Sequence, residues 1–400
     1  MTTDIRITPI RGTGRRPEEA SLFGTAAARI VRCFHRSIPG YAPTPLHSLD
    51  RLAEHCGLAR FWVKDESYRF GLNAFKSLGG TRCIAAVMAE RLGIDPDEAD
   101  YAVLSSPESR ERLGDLTFIT ATDGNHGRGV AWAAKLFGMK SVVYMPAGSA
   151  AERLENIRRL GARADITGVN YDDTVRFAAS EAERCGFILT QDTAWPGYER
   201  IPSLIMQGYL TMAEEAVEAL DGEVPTHVFL QAGVGSMAGA LAAYFAERFG
   251  DERPIVTIVE PHAADCIYRT AEADDGRMHA VTGVMNSIMA GLCCGEPCTT
   301  AWKLIREYAD FSASMPDSTA AKGMRVLGNP LPGDPAVTSG ESGAAGVGLA
   351  AELMMNPGCG AQRRLLGLGA DSRVLCFSTE GATDRANYRR IVWDGLFPSF

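Results

Sequence analysis

Short apolar runs of strand length recur along this chain with amphipathic helical stretches between them, and this alternation limits the fold more than any other feature. The runs lie at 141–145, 163–167, 187–191, 226–231, 255–260 and 373–378, and helical patterning fills 152–160, 172–185 and 205–220. Alternation of this kind builds parallel sheets covered by helices on both faces. The strands are too many for one compact sheet, and 400 residues are enough for two or three domains. We therefore expect an α/β fold of two doubly wound parallel-sheet domains, with the active site in the cleft between them. Segment 102–115 is charged and breaks the pattern, so it reads as a surface excursion. Residues 311–343 are dense in proline and glycine, with Asn329-Pro330, Pro332-Gly333 and Asp334-Pro335 as turn signals. They read as one long loop, and a lid over the active site is the expectation for it.

Three segments carry chemistry. Lys76 stands alone in the apolar, glycine-flanked run Gly71-Leu72-Asn73-Ala74-Phe75-Lys76-Ser77-Leu78-Gly79-Gly80. An ammonium there is poorly solvated, which predicts a lowered pKa. Such an amine suits a Schiff base with a carbonyl cofactor, whereas the bland alternative is a lysine lying along a helix start. The string Thr122-Asp123-Gly124-Asn125-His126-Gly127 follows the strand-like 116–119 and opens a helix-like run to Phe137. Glycines at such a turn admit a ligand to the backbone, and Asp and Asn supply polar contacts. The third segment, Gly233-Val234-Gly235-Ser236-Met237-Ala238-Gly239, sits between a strand-like run and a helix-like one. Backbone amides at a turn of that kind form an anion nest, reinforced by the helix dipole, whose natural guest is a phosphate. A reactive lysine, an Asn-containing glycine turn and a phosphate nest together suggest pyridoxal 5'-phosphate. Taken alone, the third segment also imitates a dinucleotide-binding unit with Glu260 as the ribose acid, although Gly239 falls one place too late for Gly-x-Gly-x-x-Gly.

From about Tyr41 to the C-terminus the chain resembles the threonine dehydratase and tryptophan synthase β group, the fold type II pyridoxal-phosphate enzymes. Phe75-Lys76, Asp123-Gly124-Asn125-His126-Gly127 and the glycine loop at 233–239 carry the likeness, in that group's order. Within the group it is similar to the diaminopropionate ammonia-lyases, through Asn73-Ala74-Phe75-Lys76, the 122–127 string and Gln191-Asp192-Thr193-Ala194-Trp195-Pro196-Gly197-Tyr198. The resemblance implies a larger cofactor-binding domain of 1–81 with 204–400 and a smaller mobile domain of 82–203. A regulatory domain would need residues past this C-terminus, so none is expected.

The resemblance also implies roles. Lys76, beside Phe75, holds the cofactor and then acts as a base near Cα. Asn125 matches the residue that hydrogen-bonds the ring hydroxyl oxygen; it could instead, or also, close a backbone Asx turn. His126 reads as structural. Gly233, Val234, Gly235, Ser236 and Met237 offer backbone amides to the phosphate. Ser378, with Thr379 as the near alternative, matches the hydroxyl partner of the pyridine nitrogen. Glu341 resembles the acidic residue near the ring, or is a solvated loop glutamate. Asp123 narrows the substrate, because the hydroxy-amino-acid dehydratases typically carry serine there. A carboxylate is costly to desolvate unless paired, and a β-ammonium would pair with it. The likeness adds that Asp123 can take the Cα proton on the face opposite Lys76, so one site would process both enantiomers. Asp192 is assigned to binding or proton handling around the leaving amine, with a helix or turn cap as the alternative.

The expected reaction is α,β-elimination of D- and L-2,3-diaminopropionate to pyruvate and two ammonia. The alternatives are a serine or threonine dehydratase, a β-replacement synthase of the same fold, or a non-catalytic nucleotide-binding module. A formal charge of −9, spread rather than blocked, favours neither nucleic acid nor an anionic membrane. Residues 1–16 lack the apolar stretch of a secretory signal, so a soluble cytoplasmic protein is expected, and the family resemblance implies a homodimer. Cys293, Cys294 and Cys298 do not show zinc-site spacing; they read as buried thiols, with a bond from Cys266 to Cys293 or Cys294 conceivable.

Overall fold

The computed structural model describes residues 4–122 and 124–398. Among these, the strands are β1 (Arg6–Pro9), β2 (Leu46–Ser48), β3 (Arg60–Asp65), β4 (Thr117–Ala121), β5 (Lys140–Met145), β6 (Arg163–Ile166), β7 (Ile188–Leu189), β8 (His227–Gln231), β9 (Ile255–Pro261), β10 (Phe311–Met315) and β11 (Arg373–Ser378). They form a seven-stranded sheet, β1-β10-β9-β8-β11-β3-β2, and a four-stranded sheet, β6-β5-β4-β7. The small sheet is parallel throughout. The large sheet is parallel inside, while β1 and β2 close its edges antiparallel. Every expected strand run is present, though the one at 187–191 shrinks to the two residues of β7.

Four strands are hidden from the hydrophobic pattern, and for two of them the reason is clear. In β10 the serines face buried polar partners: Ser314 Oγ donates to Asp265 at 2.8 Å, and Ser312 is fully buried. In β3 the fully buried Lys64 would mark a surface by composition. Its Nζ donates at 2.6 Å to both Glu215 and the Thr44 carbonyl, and Arg69 also donates to Glu215 at 2.7 Å. Buried charge is tolerated only when paired in this way.

The expected loop at 311–343 is not a loop. It contains β10 and the helix Asp317–Gly328, with Pro316 at the helix start, where a missing N–H costs nothing. What remains after Gly328 is tied down: Asp334 accepts from the backbone amides of Arg51 and Leu52 at 2.9 and 2.8 Å. A lid reading does not survive this anchoring. The excursion at 102–115 folds into two short helices, Tyr101–Leu104 and Pro107–Leu113, capped by Asp100 and Ser106.

The helical stretch at 205–220 is two helices, Arg200–Gly208 and Leu210–Ala219. The first crosses the helix Lys76–Leu92 with almost no space between the backbones. A Cβ on Gly208 would lie 2.3 Å from the Leu78 carbonyl oxygen, and one on Gly80 would lie 2.9 Å from the Gly129 carbonyl oxygen. Glycine at 79, 80, 129 and 208 thus serves close packing around the start of the Lys76 helix. Gly208→Ala is expected to destabilise the protein by about 1–3 kcal/mol, the usual cost of overpacking, because backbone cannot step aside. Denaturant unfolding measures this, and an unchanged midpoint would contradict the account.

Candidate active site

The carboxyl ends of parallel strands from both sheets meet at one cavity, the usual position for a site in an open α/β sheet. β8 leads into the glycine turn at 233–235, β11 into Thr379 and Glu380, β4 into the 122–127 turn, and the segment after β7 into Asp192. Lys76 arrives from the side. The 73–75 segment pairs with 379–381: Phe75 N donates to the Thr379 carbonyl at 3.1 Å and Gly381 N to the Asn73 carbonyl at 3.0 Å. Asn73 holds a left-handed φ of 59°, and its side chain fills the space that a Cβ on residue 381 would need.

Lys76 Nζ donates to Asp192 Oδ2 at 2.6 Å and lies over the rings of Phe75 and Tyr209, at 5.3 and 5.6 Å from their centroids. Burial disfavours the ammonium, but the carboxylate of Asp192 overrides it and holds the Lys76 pKa above its ordinary value. The lowered pKa expected from the local sequence is therefore corrected, because the partner lies 116 residues away. Asp192 is buried, which favours the neutral acid, yet His126 and Lys76 hold its carboxyl down to about 2. It pairs with lysine rather than capping a helix. His126 Nε2 bonds the Thr190 carbonyl at 2.8 Å, which makes that nitrogen the donor and leaves Nδ1 facing Asp192 at 3.6 Å.

Thr122, not Asn125, closes the turn: its Oγ accepts from Gly124 N and Gly127 N, both at 2.9 Å. Asn125 is left to reach Glu380, donating from Nδ2 to Oε2 at 2.5 Å. Asp123 lies outside the described residues.

The glycine turn fits a phosphate. Gly235 has φ +93°, and the helix Ser236–Phe249 starts there, so its first amides have no partner within the helix. At Gly233 a Cβ would lie 3.1 Å from Cys294 Sγ and 3.2 Å from the Gly291 carbonyl oxygen, so a side chain there would press on the neighbouring segment. Ser236 Oγ donates to the Asp192 carbonyl at 2.6 Å, which ties this turn to the lysine's partner. Lys76, Phe75, Asn125, Asp192, the 233–237 turn and Thr379 all line the cavity. Two expected residues stand apart from it. Ser378 is fully buried and donates to Ser339 Oγ at 2.8 Å, so of the two hydroxyl candidates Thr379 faces the cavity. Glu341 accepts from Asn387 Nδ2 at 2.5 Å, and burial, with Glu380 nearby, pushes its carboxyl up to about 7. Glu260, the ribose acid of the dinucleotide reading, is fully buried and caps the helix Cys266–Ala273 through the amides of Ile267 and Tyr268. That reading falls with it. Cys266, Cys293 and Cys294 form no disulfide bond.

Sequence reasoning missed Tyr171, Ser342 and Glu380, which also line the cavity. An acidic residue directly after an apolar strand, in Thr379-Glu380-Gly381, was the available signal for Glu380.

Comparison with known proteins agrees with this geometry. A family model described as "Pyridoxal-phosphate dependent enzyme" matches residues 38–365. A diaminopropionate ammonia-lyase of Salmonella typhimurium is 50% identical over 379 residues, covering 94% of each chain. The crystal structure of the Escherichia coli diaminopropionate ammonia lyase in complex with D-serine superposes with a TM-score of 0.92 at 45% identity, covering 99% of this chain and 98% of that one. The same enzyme in complex with an aminoacrylate-PLP azomethine reaction intermediate gives a TM-score of 0.90 at 45% identity over 100% of both chains.

Proposed function

The chain belongs to the pyridoxal-phosphate dependent enzyme family, and from that premise we propose that it is a carbon–nitrogen lyase that eliminates the β-amine of 2,3-diaminopropionate. The products are pyruvate and two ammonia, from both the D and the L substrate. The observation that carries this reading is the Lys76–Asp192 pair, at 2.6 Å, opposite a glycine turn built for a phosphate. Identity of 50% to a diaminopropionate ammonia-lyase supports the substrate.

Pyridoxal phosphate, when bound, supplies the electron sink that stabilises a carbanion at Cα. The chain supplies the rest. The amides of Gly233 to Met237 hold the phosphate, Lys76 is the covalent anchor, and Asn125 and Thr379 orient the ring. Lys76 takes the Cα proton of one enantiomer, and Asp192 stabilises the ammonium so formed. Asp123 takes the Cα proton of the other enantiomer from the opposite face. Asp192 keeps the departing β-amine protonated, so that it leaves as ammonia. The same reading assigns 1–81 and 204–400 to a cofactor-binding unit and 82–203 to a moving one; all four strands of the small sheet fall inside the second span. It makes the protein a cytoplasmic homodimer active in amino-acid catabolism. No helix among the described residues is long and apolar enough to cross a membrane.

Asp123→Asn tests the two-base assignment. Turnover of the D isomer should fall about 10²–10⁴-fold, the worth of one acid–base step, while the L isomer loses much less. Equal loss on both isomers would overturn it.

A further inference from the structure

Glu380 is 3% exposed and has no place in the roles assigned above, yet both of its carboxylate oxygens are engaged at the cavity wall. Oε2 accepts from Asn125 Nδ2 at 2.5 Å and from Thr383 Oγ1 at 3.4 Å, and Oε1 accepts from the backbone amide of Ser342 at 3.2 Å. The residue itself is fixed. Its carbonyl accepts from Gly340 N at 2.9 Å, and it forms a bridge with Ala74, two residues before Lys76.

An asparagine amide can present either its oxygen or its nitrogen to a neighbour, and the two orientations fill nearly the same space. A carboxylate accepts and cannot donate, so Glu380 selects the orientation with nitrogen. One N–H of Nδ2 is then used, and the other is left on a side chain that lines the cavity. Without Glu380 the amide is free to turn over and offer its oxygen to the cavity instead. An oxygen there would face the ring oxygen of the cofactor, acceptor against acceptor. Asn125 follows a strand of the small sheet and Glu380 follows a strand of the large one, so the contact also spans the two sheets.

We propose that Glu380 is a positioning residue for the cofactor, which locks the Asn125 amide so that an N–H faces the oxygen on the cofactor ring. Glu380 acts through Asn125 and touches no reacting atom. The inference rests on the cofactor reading above.

The test is a double-mutant cycle on the full chain loaded with pyridoxal phosphate, read by the rate of cofactor loss on dilution and by the visible absorbance band. Glu380→Ala and Asn125→Ala should each speed cofactor loss about 10–100-fold and move the band, by analogy with residues that orient a ligand's direct contacts. The double variant should lose no more than Asn125→Ala alone, because the proposed effect of Glu380 on the cofactor runs through that amide. Glu380→Gln keeps one acceptor and should restore part of the effect; it also completes the cycle if the alanine variant does not fold. Effects that add in the double variant, or a Glu380→Ala protein that matches the parent in both readouts, overturn the proposal. A parent protein without a visible band would instead defeat the cofactor reading.

Discussion

Lys76→Ala should abolish elimination, lowering turnover by at least about 10⁴-fold, and should leave the protein without the absorbance of covalently held cofactor. The size follows from two losses at one atom. Nζ is both the covalent anchor and the base for one enantiomer, and Lys76 is the only lysine among the described residues that line the cavity. Lys76→Arg separates charge from chemistry. It keeps a cation for Asp192 but cannot link covalently to a carbonyl, so it should be as inactive as the alanine variant. Absorbance spectra and steady-state pyruvate release measure both, and more than a few per cent of parental activity in either variant would contradict the role.

Asp192→Asn should move two rates in opposite directions. Burial alone pushes the Lys76 amine below its ordinary pKa, and the carboxylate at 2.6 Å reverses that. With that charge removed the main support for the ammonium is gone while burial still opposes it, so Lys76 gives up its proton at lower pH and more of it is neutral near pH 7. A neutral amine is the nucleophile, and covalent uptake of pyridoxal phosphate by the cofactor-free protein should become faster near neutrality. Turnover should fall about 10²–10⁴-fold, because the ammonium formed when Lys76 takes the Cα proton has lost its stabilising partner. Rapid-mixing absorbance and steady-state kinetics report the two separately. Slowing of both rates would show that Asp192 only shapes the site.

Much of the fold was legible because β5, β8, β9 and β11 are buried on both faces and read as largely apolar runs. β3 and β10 were not, since their charged and hydroxyl side chains are satisfied by residues far away in sequence, such as Glu215 and Asp265. The same limit shaped the site. Lys76 and the 233–237 turn announce themselves through local chemistry. The direction of the Lys76 pKa depends on Asp192, and the freedom of Asn125 depends on Thr122 taking over the turn. Glu380 gains its meaning only when the strand ends of two sheets meet. The prolines around 330 suggested a loop because turn signals say where the chain bends, not what the bend is anchored to; Asp334 supplies the anchor.

The most direct measurement is pyruvate release by the purified protein supplied with pyridoxal phosphate and given D- or L-2,3-diaminopropionate, D- or L-serine, or L-threonine, whose product is 2-oxobutyrate. The account predicts strong preference for diaminopropionate in both configurations, with two ammonia formed for each pyruvate. Preference for serine or threonine would contradict it, leaving the fold and Lys76 in place but removing the pairing of Asp123 with a β-ammonium.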